Sequence, residues 1–65
     1  MKTSIIIEEY SEGDRVRIEW QDWSGLYNEV VGEIVSMTEE SVVVERDDGE
    51  WEIVFYDRIL TMNKL

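Results

Sequence analysis

Between residues 19 and 29 the chain sets large rings among carboxylates: Trp20, Trp23 and Tyr27 stand with Glu19, Asp22 and Glu29. Ring faces attract cations, and carboxylates add charge and accept charge-assisted hydrogen bonds, so this mixture suits a cationic group on another molecule. Spacing separates the rings. Trp20 follows Val16 and Ile18 at period two, which predicts a strand with all three on its inner face. Trp23 and Tyr27 lie in a polar stretch over residues 21–28, where a ring either covers the mouth of a core or meets a partner, and both alternatives stay open. The expected contact residues are Trp23, Tyr27 and Asp22, with Glu19 and Trp51 beside them.

Other chemistry is excluded by what the sequence lacks. With no Cys and no His, thiol and imidazole nucleophiles are absent, as are the zinc sites built on those ligands. A carboxylate pair alone can hydrolyse glycosides, but that reaction needs a cleft of a few hundred Å³, which a chain this small is not expected to offer. No enzyme activity is therefore expected. Asp47, Asp48 and Glu50 carry oxygen ligands without the spacing of a calcium loop, and a solvated hairpin tip accounts for them better. No metal and no cofactor is expected.

Charge narrows the partners. Six Lys and Arg against 16 Asp and Glu give a net charge of −10, which repels nucleic acid unless the few bases converge. Arg15 and Arg17, two apart on one strand, are the candidate pair for an RNA contact; the competing expectation is ion pairing with Glu19, Glu33 or Glu45. A surface rich in carboxylates can also occupy a basic nucleic-acid channel on another protein, as DNA mimics encoded by phages do. No apolar run approaches the roughly 20 residues a membrane span requires. The N-terminal apolar stretch is too short for a secretory signal, and a cytoplasmic location is expected.

Sixty-five residues support one core, so residues 1–65 are expected to form a single domain. Strands are predicted nearly throughout. An extended N-terminal segment covers residues 1–10, its strand reading strongest from Ser4 to Tyr10. Val16, Ile18 and Trp20 alternate with Arg17, Glu19 and Gln21 to make the next strand. A strand over Glu29 to Met37 has apolar residues on both faces and Gly32 inside, which predicts a bulge or sharp bend. Val42 to Arg46 and Glu50 to Tyr56 form a hairpin. If its loop is Asp47-Asp48-Gly49 with Gly49 left-handed, Arg46 faces Glu50; a two-residue loop would oppose Glu45 to Glu52. The three-residue form is preferred. Asp57-Arg58 then makes a helical turn into a last strand, Ile59 to Met62.

The run from Val31 to Glu45, with Gly32 two residues before Ile34 and a tight turn into Val42-Val43-Val44, resembles the core of the SH3-like small barrels, which include Sm-like, KOW and Tudor domains. Gly13-Asp14-Arg15-Val16-Arg17-Ile18 is similar to their opening strand, and Tyr56 to Met62 to their helical turn and last strand. The resemblance covers residues 12–62 and implies an all-β barrel of five to six short strands with a short helical turn before the last. It implies no single activity. Thr38-Glu39-Glu40-Ser41 lacks the Asn with which Sm-like proteins contact a base, and Phe55-Tyr56-Asp57 lacks their basic residue. The expected function is a non-catalytic module that binds a protein with a basic or cationic surface. An RNA-binding accessory module of KOW or Sm type and a DNA mimic are the alternatives.

Overall fold

A computed structural model describes residues 7–65. Five antiparallel strands form one sheet: β1 (Arg15–Gln21), β2 (Tyr27–Met37), β3 (Ser41–Arg46), β4 (Trp51–Phe55) and β5 (Ile59–Lys64). They lie in the order β4-β3-β2-β1-β5. Short 3-10 turns occupy Ile7–Glu9 and Tyr56–Arg58. The expected N-terminal strand falls mostly on residues 1–6, outside the described residues. Its next part corrects the expectation: Ile7–Glu9 is a 3-10 turn, closed by a Tyr10 N–H bond to the Ile7 carbonyl.

Alternation explains β1, whose Val16 and Ile18 are wholly buried while Arg15 and Arg17 face solvent. Those two join Val30, Ile34, Val42, Val44, Val54, Ile59 and Met62 in one apolar cluster. Every strand contributes, including the edge strands β4 and β5. All five strands turn one apolar face to this cluster, and Tyr10, Met37 and Tyr56 pack against it from its margins. Each aliphatic side chain so enclosed contributes about 1.5–3 kcal/mol of transfer free energy. Trp20 packs half-buried against this cluster, as its period predicts.

Two features of β2 bend it. Its pairing with β3 slips by one residue between Ile34 and Ser36, which makes Val35 the bulge. Gly32 is not the bulged residue. It is the point of closest approach: a Cβ there would lie 2.1 Å from the Glu45 carbonyl oxygen and 2.9 Å from a Val44 methyl. Gly32 faces Val16 on one side and Arg46 on the other, so the glycine lets three strands crowd where the sheet curls.

The β3–β4 hairpin has the three-residue loop. Glu45 pairs with Trp51, the Arg46 N–H donates to the Glu50 carbonyl at 2.8 Å, and Gly49 takes φ +88°. The Arg46 guanidinium turns to Asp48 and Glu52 rather than to Glu50 across the loop. The chain then passes through the Tyr56–Arg58 turn, ended by an Ile59 N–H bond to the Tyr56 carbonyl, into β5.

Candidate functional site

The β1–β2 loop is organised by Asp22. Its carboxylate accepts from the Ser24 N–H and hydroxyl, from the Leu26 N–H and from the Asn28 amide. The Ser24 hydroxyl bond first, then the Leu26 N–H, holds the Asp22 carboxyl below its ordinary pKa. These bonds engage both oxygens of the carboxylate within the loop. Asp22 shapes the loop that presents Trp23.

Trp23 stands 71% exposed at the tip, fixed from below by a residue far away in sequence. The Arg58 guanidinium donates to the Gln21 and Asp22 carbonyls at 3.1 and 3.0 Å and lies 4.4 Å from the centre of the Trp23 ring. One ring face is thus already taken by a cation of the same chain. The ring also tilts against Phe55, with centroids 6.3 Å apart. Together with Tyr56, these rings floor an open groove of about 420 Å³ whose remaining walls are Glu39, Glu40 and Asp57. The Tyr56 hydroxyl donates to the Thr38 carbonyl, tying the groove to the β2–β3 turn, and burial raises its pKa.

Glu19 and Tyr27 lie in a second open groove, of about 340 Å³, with Asn28, Glu29 and Leu60. The expectation that so small a chain has no depression of this size is corrected by both grooves. Glu19 and Glu29 face each other across β1 and β2. Arg17 offsets the repulsion by donating to both carboxylates, and the Thr61 hydroxyl donates to Glu19 at 2.9 Å. Arg15 is also engaged: its guanidinium reaches Asp47 at 2.9 Å. Both arginines share the solvent face of β1, and both are ion-paired there.

The five expected contact residues are therefore not one cluster. Trp23 belongs to the groove over Phe55, Glu19 and Tyr27 to the other groove, and Asp22 to the loop interior. Trp51 stands at the far end of β4 from Phe55, about 13 Å away at the usual rise along a strand. Arg58, Phe55, Glu39, Glu40 and Asp57 escaped the sequence reading because each meets Trp23 or its groove only through the fold. One signal for Phe55 was present. Trp51, Ile53 and Phe55 form an apolar row opposite Val54, so β4 is apolar on both faces, and a strand needs only one for the core.

Among the described residues no three carboxylates converge as a metal site. Asp48, at the hairpin tip, instead accepts from Arg46 and from the Glu50 N–H. No helix of the described residues is long and apolar enough to cross a membrane. No known protein family, curated protein or solved structure matches the chain.

Proposed function

We propose that the chain is a non-catalytic binding module with an SH3-like barrel fold, which docks on a protein through a basic or cationic surface. The sheet order β4-β3-β2-β1-β5, the long bent β2 and the single 3-10 turn before β5 support the barrel. The observation that carries the function is the groove in which Trp23, Phe55 and Tyr56 are walled by Glu39, Glu40 and Asp57. Apolar floor and acidic wall together suit a Lys or Arg side chain, whose stem packs on rings while its head meets carboxylates. Arg58 holds the inner face of Trp23, so the partner's cation is bound by the carboxylates and the exposed ring surface.

The reading without catalysis is supported by Arg17, whose guanidinium is bonded to both Glu19 and Glu29, the facing carboxylates of the second groove. The RNA alternative loses its two arginines to Asp47, Glu19 and Glu29. Calorimetric titration with an oligo-lysine peptide tests the proposal. Binding should weaken about tenfold in Trp23→Ala, which leaves the net charge unchanged. Equal affinity of the variant and the parent protein would show that net charge alone attracts the peptide, and the proposal would fail.

A further inference from the structure

Strand β4 ends the sheet, and its pairing fixes which main-chain groups are free. The Arg46 N–H bonds to the Glu50 carbonyl, and antiparallel ladders alternate inward and outward residues. Glu52 and Val54 thus direct their main-chain groups to β3, while Trp51, Ile53 and Phe55 direct theirs away from it. The same three residues carry side chains that are 65, 56 and 40% exposed, all on one face by period two. Among the described residues, then, the free edge and an exposed apolar row, against whose Phe55 end Trp23 leans, coincide.

Edges are ordinarily protected by Lys, Pro or a bulge. β4 reads Trp-Glu-Ile-Val-Phe, and its pairing with β3 runs unbroken from Ser41 and Phe55 to Glu45 and Trp51. Acids stand at both ends of the row. Glu45 is directly opposite Trp51, and Glu39, Glu40 and Asp57 share the groove with Phe55. A second copy pairing antiparallel through β4 would set the Glu39, Glu40 and Asp57 end of one molecule against the Glu45 and Glu50 end of the other. Acid would meet acid. A strand with an apolar middle and Lys or Arg at each end matches edge, row and charge together.

We infer that an extended basic segment of a partner protein adds to the sheet as a strand beside β4, its main chain bonded to Trp51, Ile53 and Phe55. This deepens the proposed function and rests on it. The probe is a nonapeptide of alternating valine and threonine between paired lysines, titrated into the full chain. Two further versions are N-methylated, one at the valines and one at the threonines. Only one set of these amides can face β4, so one version should lose affinity by about tenfold or more while the other binds like the parent. Amide exchange at Trp51, Ile53 and Phe55 should slow on binding, and Ile53→Lys should remove the effect.

If both methylated versions bind like the parent peptide, strand addition is overturned and docking on a cationic partner survives. If no nonapeptide binds while oligo-lysine does, the result is the same. Failure of every peptide overturns both proposals.

Discussion

Glu33 on β2 and Glu45 on β3 stand directly opposite each other, and neither carboxylate is in an ion pair among the described residues. Arg15 is the cross-strand neighbour of Glu33 on β1, but its guanidinium is turned to Asp47. The contrast is Glu19 and Glu29, the other facing pair of acids, which Arg17 bridges. One like-charge pair is neutralised and the other is left exposed.

Glu45→Lys should therefore stabilise the protein by about 0.5–1 kcal/mol, by turning repulsion into attraction across β2 and β3. The gain should shrink at high salt, where exposed charges are screened. Urea unfolding at low and high ionic strength measures both, and a variant less stable than the parent at low salt would contradict the assignment.

Gly32→Ala should cost at least about 3 kcal/mol, beyond the usual range for overpacking by one methyl. The neighbouring atom is a main-chain oxygen of β3, which no rotamer change can move. The chain should fail to give a cooperative unfolding transition. Gly49→Ala offers the comparison: its cost should come from φ +88° alone, since open space surrounds the site.

Arg58→Met keeps much of the side-chain stem but removes two hydrogen bonds and the cation over Trp23. A loss of about 1–2 kcal/mol is expected for these part-buried bonds. The indole N–H resonance of Trp23 should move and narrow as the ring gains freedom. An unchanged Trp23 signal would mean that Phe55 and the loop suffice to hold it.

Asp22 and Asp48 both ionise below the ordinary carboxylate value, through the Ser24 hydroxyl in the first case and the Arg46 guanidinium in the second. A folded value below the unfolded one means the unfolded chain takes up protons first, so stability falls with pH. Each contribution is complete above about pH 4, the ordinary aspartate value, and is lost as pH drops through the folded value. Carboxyl-carbon shifts followed by NMR should show both groups titrating at lower pH than an unpaired aspartate. Asp22→Asn should remove the Asp22 part of the acid limb of the stability curve.

The parts of the fold that follow from short-range rules were readable in the amino-acid order. Val16, Ile18 and Trp20 face inward because they alternate, and Asp47-Asp48-Gly49 forms a three-residue loop because Gly49 can take its left-handed position, although Arg46 pairs with Asp48 and Glu52 rather than with the Glu50 that the loop sets opposite it. Gly32 was harder. A glycine within a strand signals either a bulge or a close approach, and only the position of Glu45 on the neighbouring strand decides between them. The site was harder again. Trp23 was evident as a ring in a polar loop, yet Arg58 and Phe55 reach it through strand order, which no local period encodes. The bonds Asp22 makes within its loop are hard to read for the same reason: a carboxylate beside a tryptophan reads alike whether it faces outward or bonds to its own loop.

The pairing of Val16 with Lys64 and of Ile18 with Met62 gives β1 its second neighbour from residues that follow it by more than the whole length of β2 to β4. During synthesis, β1 must wait with this flank bare until β5 has left the ribosome. A nascent chain held on the ribosome by a C-terminal tether long enough to set residue 58 at the tunnel exit would expose β1 to β4 but withhold Ile59 and Met62, and should remain open to protease until a longer tether lets those residues emerge.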